Sequence, residues 1–159
     1  MAERPVVSDT TPLIKLAGVG LLDLLPQLYG EVEIPEAVRD EYRAGARPAD
    51  PRLEALSWLR VRAVVPEPEL AAILGLGEAA AITLASGRDA RVVLLDERVG
   101  RRLARGRELP VVGTLAVLVR AKRQGLIPAV GLVVDKMVDQ GRRIGGALRT
   151  QVLREAGEL

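Results

Sequence analysis

The sequence predicts an α/β protein: a three-layer fold with a mainly parallel central sheet flanked by helices. Three observations carry this. Short β-like runs alternate with helical patterns along the whole chain. Val92-Val93-Leu94-Leu95 is apolar without alternation, as in a strand buried on both faces of a parallel sheet. Two of the runs end in a carboxylate, Asp9 and Asp96, and ligands of open α/β sheets bind beyond the C-terminal ends of strands.

The elements follow in order. Val6-Val7-Ser8 is a first strand. Thr11 caps a helix with Pro12 at its first position, striped by Leu13, Ile14, Leu16 and Ala17 and broken by Gly18 and Gly20. A second helix covers 21–28 and stops at Tyr29-Gly30. Residues 31–34 form a small strand, and Pro35 opens a helix to about Ala44 that Gly45 ends. Asp50-Pro51 starts a short helix to about Trp58, and 59–65 alternates as a strand. Helices are expected at 69–74 and 78–86, on either side of a Gly75-Leu76-Gly77 corner. After the strand at 92–95 come a helix at 97–105, a strand at 109–112, and a helix from Gly113-Thr114 to Gln124 closed by Gly125. Pro128 opens a helix to about Gln140, and 147–156 is a last, charged helix. Neither repeat nor long linker interrupts the 159 residues, which reads as one domain over 1–159.

Composition narrows the chemistry. The chain has no His and no Cys, which removes disulfides, zinc–thiolate sites, Ser-His-Asp triads and thiol nucleophiles. Hydrolysis is left to carboxylates with a hard metal, or to a lone Ser, Thr or Lys. Net charge is only +2, but 20 of the 23 basic residues are arginine. Arginine's planar fork suits phosphate, so nucleic acid is one reading; biased codon usage explains the excess equally well. No apolar run reaches the roughly 20 residues of a membrane span, and Met1-Ala2-Glu3-Arg4-Pro5 is too acidic and short for a signal peptide. The expected location is cytoplasmic.

Four acids stand where apolar or capping residues would be ordinary: Asp9, Glu41, Glu78 and Asp96. Asp9 and Asp96 close strands; each could instead cap the helix that follows. Glu41 lies three and four positions after Val38 and Ala37 and shares their apolar face. Glu78 heads a stripe of Ala81, Ile82 and Ala85, although an acid in a first helical turn also suits the helix dipole. Clustered carboxylates repel unless a cation joins them. Mg²⁺ or Mn²⁺ takes such oxygen ligands, lowers the pKa of water and steadies charge on a phosphoryl group. Gly75-Leu76-Gly77-Glu78-Ala79-Ala80 has the spacing of a dinucleotide fingerprint but follows no clear strand, so it reads as a corner bringing the Glu78 helix to the sheet.

Val7-Ser8-Asp9-Thr10-Thr11-Pro12-Leu13-Ile14 resembles the opening motif of PIN domains, in particular the DUF3368 subgroup. Leu22-Asp23-Leu24-Leu25, Ile34-Pro35-Glu36-Ala37-Val38 with Glu41, Gly75 to Ile82, Leu94-Leu95-Asp96-Glu97, Val112-Gly113-Thr114 and Ala121 to Pro128 follow in the subgroup's order. The likeness spans about Val6 to Gly157. It implies a Mg²⁺- or Mn²⁺-dependent ribonuclease acting on single-stranded RNA. Many such relatives are VapC-type toxins of type II toxin–antitoxin pairs, homodimers silenced by an antitoxin protein. Carried across, the acid quartet falls on Asp9, Glu41, Glu78 and Asp96. Glu78 replaces a frequent Asp, and Asp96-Glu97 replaces a Thr-x-Asp form, which leaves the part of Glu97 open. Ser8, Thr10 and Thr114 are candidates to support the acids, and Arg101 and Arg102 to hold an RNA backbone. Two rivals stand beside this reading. One is a catalytically silent protein that binds RNA or an antitoxin. The other is a phosphoryl-accepting domain, which lacks the expected Lys at a strand end.

Overall fold

The computed structural model describes residues 3–159. In chain order the elements are β1 (Val6–Ser8), α1 (Thr10–Gly18), α2 (Leu24–Tyr29), β2 (Val32–Pro35), α3 (Glu36–Gly45) and β3 (Leu59–Arg62). There follow α4 (Pro68–Ala71), α5 (Leu76–Gly87), β4 (Val92–Leu94), α6 (Arg98–Gly106), β5 (Val111–Val112), α7 (Thr114–Arg123), α8 (Val130–Asp139) and α9 (Gly146–Glu155). The sheet order is β3-β2-β1-β4-β5, and every pairing is parallel.

This order decides where a site can form. From β1 the chain moves outward on one side to β2 and β3, then returns to the other side for β4 and β5. The reversal lies between β1 and β4, which is the crevice where such sheets accept ligands. Val6 pairs with Val92 and Ser8 with Leu94, so the residues just past both strand ends, Asp9 and Asp96, share one edge. The Asp9 N–H extends the ladder by one step, donating to the Leu94 carbonyl at 2.9 Å.

Both faces of the sheet are covered. Consecutive residues of a strand point to opposite faces, and Val6, Val7, Val93 and Leu94 are all fully buried. The core is aliphatic, with Tyr42 as its largest fully buried member and its hydroxyl donating to the Pro51 carbonyl.

Several sequence expectations shift. The first helix begins at Thr10, so Pro12 is its third residue, where the missing N–H has no helical partner to lose. The expected helix from Asp50-Pro51 is a single 3-10 turn, Leu53–Ala55. The strand read at 59–65 ends at Arg62, where its pairing with Pro35 stops, and the helix read at 69–74 lasts one turn from Pro68.

Candidate active site

Asp9 begins the site. Its backbone is extended and it occupies the cap position of α1, yet its side chain caps nothing. It is 4% exposed and forms no ion pair among the described residues. Burial, and after it the charges of Glu78, Glu41 and Asp96, push its carboxyl up to about 7. All four predicted acids therefore converge on one electrostatic neighbourhood, although they come from β1, α3, α5 and the end of β4.

Each of the other three is held differently. Glu41 projects from α3 and accepts the Gly77 N–H at 3.2 Å and the Thr10 hydroxyl at 3.4 Å. Gly77 leaves room for this placement, because a Cβ there would collide with the Glu41 carboxyl group and displace it. The glycine corner thus serves the approach of α3 as well as of α5. Glu78 is drawn in by α5; its Oε2 is buried and has no hydrogen-bond partner. Burial, then Glu97 and Glu41, hold its carboxyl above the usual range. At Gly100 a Cβ would come 2.6 Å from Glu78 Oε2, so this glycine also makes room for an acid.

Asp96 is no helix cap either. Glu97 is the cap of α6, its carboxylate accepting the Gly100 N–H at 2.9 Å. Asp96 instead accepts the Thr114 N–H on Oδ1 and the Thr114 hydroxyl on Oδ2, both at 2.7 Å, and Lys15 Nζ stands 3.1 Å from Oδ2. Thr10 and Thr114 therefore support carboxylates as the sequence suggested, whereas Ser8 donates to the Asp9 carbonyl rather than to an acid.

Lys15 is the site residue that sequence reasoning missed. The signal was its isolation: it is the only charged residue in an otherwise apolar helical stretch, 12–18. One more buried acid was overlooked, and it behaves in the opposite way. Glu33 on β2, 3% exposed, is clasped by Arg62 and Arg88, which hold its carboxyl below the usual range despite burial. That is how a structural acid is neutralised, and none of the quartet has such guanidinium clasps.

In donor chemistry the quartet fits a hard divalent cation: all its groups are oxygen ligands, one buried oxygen lacks any partner, and Asp9 is burdened by the charges of Glu78, Glu41 and Asp96. As the side chains stand, no group of three Asp, Glu, His or Cys residues is arranged to hold an ion among the described residues. The acids converge without closing into a cage.

Beyond Asp96 a cavity of about 630 Å³ opens toward α6 and α9. Lys15, Asp96 and Thr114 form its near end, and Arg98, Arg101, Arg105, Arg142 and Arg143 line the rest. Arg101, on the cavity wall, donates to the Leu95 carbonyl at 3.1 Å; Arg102 is exposed and off the cavity, which narrows the expected pair to Arg101.

No described helix is long and apolar enough to cross a membrane. Compared with known families, residues 5–158 match the model of a family described as PIN domain. No curated protein is similar enough in sequence to match.

Proposed function

The chain belongs to the PIN-domain family, whose members are generally nucleases that use divalent metal ions, and from that premise we propose that it is a Mg²⁺- or Mn²⁺-dependent endoribonuclease cutting single-stranded RNA. The observation that carries this reading is Asp9: a buried carboxyl crowded by Glu41, Glu78 and Asp96 with no guanidinium to neutralise it. Buried charges left like this are costly unless a cation is part of the working state.

Asp9 and Asp96 are the principal ligands in this reading, with Glu41 and Glu78 completing the set directly or through water. A divalent ion bound there supplies an activated water and offsets charge on the phosphoryl group. The protein's own groups do the rest. Gly77 and Thr10 aim the Glu41 carboxylate, Thr114 fixes the plane of Asp96, and the buried Glu78 oxygen is left free to accept.

The test is a cleavage assay on single-stranded RNA with Mn²⁺ or Mg²⁺. Cleavage is expected, EDTA stops it, and Asp9→Asn abolishes it while the circular dichroism spectrum is kept. Full activity in Asp9→Asn rejects the mechanism. A catalytically silent protein that binds RNA or an antitoxin is the second reading. It is favoured by the Lys15–Asp96 pair and by the open arrangement of the acids. Mn²⁺ binding without cleavage of any RNA would establish it.

The wider biological setting rests on the family resemblance alone: a cytoplasmic toxin of a type II toxin–antitoxin pair, acting as a homodimer and silenced by an antitoxin protein. Growth arrest of a bacterial host by the wild-type chain but not by Asp9→Asn is the outcome this expects.

A further inference from the structure

The cavity beyond Asp96 gathers more positive charge than the fold uses. Arg98, Arg105, Arg142 and Arg143 make no side-chain hydrogen bond or ion pair among the described residues, and Arg101 makes only its bond to Leu95. By contrast, many of the chain's other arginines are spent on acids, including Arg43, Arg47, Arg60, Arg62, Arg88 and Arg107. Besides Asp96, the lining contains a single acid, Glu155.

The arrangement is ordered. Arg98, Arg101 and Arg105 recur at three and four positions along α6, so they form one stripe about 10 Å long. Arg142 and Arg143 face that stripe from the segment joining α8 to α9. Leu115, Met137, Ile144 and Leu148 supply apolar wall between the two basic sides. Arg101 and Arg105 repel each other along the stripe, and Arg101's guanidinium is held below its usual pKa, first by burial and then by Arg105. Five arginines thus face a void whose lining offers only Asp96 and Glu155 against them, and neither makes an ion pair with any of the five.

We infer that this cavity binds the sugar–phosphate backbone of a single-stranded nucleic acid, with phosphates on the arginine stripe and bases against the apolar wall. Arginine forks pair bidentately with phosphate, and a stripe of three spans more than one phosphate. The cavity shares Asp96, Lys15 and Thr114 with the acid site, so a strand lying in it delivers a phosphodiester to the quartet. An acidic peptide is the other polyanion that could answer these charges. Continuity with a site read as phosphodiester-cleaving favours the nucleic acid. The inference deepens the nuclease reading but its binding step does not require cleavage.

The experiment is fluorescence anisotropy of a labelled single-stranded oligoribonucleotide of mixed sequence, in EDTA so that nothing is cut. Arg105→Glu/Arg142→Glu is compared with Arg102→Glu/Arg154→Glu, which makes the same charge change at exposed positions off the cavity. The cavity double variant is expected to bind at least tenfold more weakly and to flatten the salt dependence by about two phosphate contacts, whereas the control stays within about threefold of wild type. Equal losses in both variants overturn the inference, as does tighter binding of a polyglutamate peptide than of the oligonucleotide. If the strand binds through the cavity but Mn²⁺ produces no cleavage, the nuclease reading fails alone. If RNA is cut and the cavity variant binds like wild type, the cavity inference fails alone.

Discussion

Lys15 Nζ lies 3.1 Å from Asp96 Oδ2, so the acid site carries an ammonium of its own. The same oxygen accepts the Thr114 hydroxyl, which leaves Oδ2 no free lone pair for another cation. Both partners are largely shielded, with 26% and 16% of their side-chain surface exposed, so salt screens the pair only partly.

Lys15 therefore competes with a divalent ion for Asp96. Lys15→Met is expected to tighten Mn²⁺ binding about tenfold, which is about 1.4 kcal/mol, and to lower the melting temperature of the metal-free protein. Titration calorimetry with Mn²⁺ and metal-free thermal melts measure the two effects. Unchanged or weaker Mn²⁺ binding in Lys15→Met would contradict the competition.

Asp9 sets a pH dependence. Its carboxyl ionises near 3.8 when the chain is unfolded and at about 7 when folded. Between those values the folded state holds a proton that the unfolded state has released, so metal-free stability from this group falls as pH rises and levels off above about 7. The difference between those two values corresponds to about 4 kcal/mol. Asp9→Asn should remove the slope, leaving the variant more stable than wild type in EDTA at pH 8 and similar to it near pH 4. Thermal melts of both proteins across that range check the sign.

Gly77→Ala should damage function more than folding. The added methyl meets the end of the Glu41 side chain, which can swing away, and the backbone conformation there suits alanine. The expected result is weaker Mn²⁺ binding with a stability change within about 1 kcal/mol. A variant that binds Mn²⁺ as well as wild type would show that Glu41 is not a ligand.

Glu33→Gln tests the contrast between structural and functional acids. Losing the charge-assisted bonds to Arg62 and Arg88 should cost about 1–3 kcal/mol, measured by denaturant unfolding, and leave Mn²⁺ affinity unchanged. Altered affinity would place Glu33 in the metal site.

The acid quartet was legible in the sequence because each member broke a local pattern. Glu41 shared an apolar helix face, Glu78 headed an apolar stripe, and Asp9 and Asp96 closed strands whose runs were plain. Their separate alternatives as helix caps could be decided only in three dimensions, where Glu97 takes the cap position that Asp96 had been offered. The parallel sheet was legible from Val92 to Leu95, but the strand order was not, since periodicity carries no information about neighbours. The Asp50-Pro51 segment was misread because its helix-start chemistry is genuine, yet Tyr42 takes the Pro51 carbonyl and the chain must soon turn into β3. Lys15 escaped notice because a lysine in a last helical turn is ordinary by itself. The arginine cavity was half visible: α6 displayed its stripe, but Arg142 and Arg143 join it only through the packing of α9.

α5, which packs against β1, β2 and β4, carries Ala79, Ala80, Ala81 and Ala85, all fully buried. Single methyl groups act as thin shims, letting the backbone that bears Glu78 settle close against the strands. Alignment of the acid-bearing edge is thus calibrated by residues that possess no polar atom in their side chains. Thicker shims would raise the helix and carry the carboxylate out of reach, so the placement of Glu78 is set by inert hydrocarbon as much as by the acids themselves.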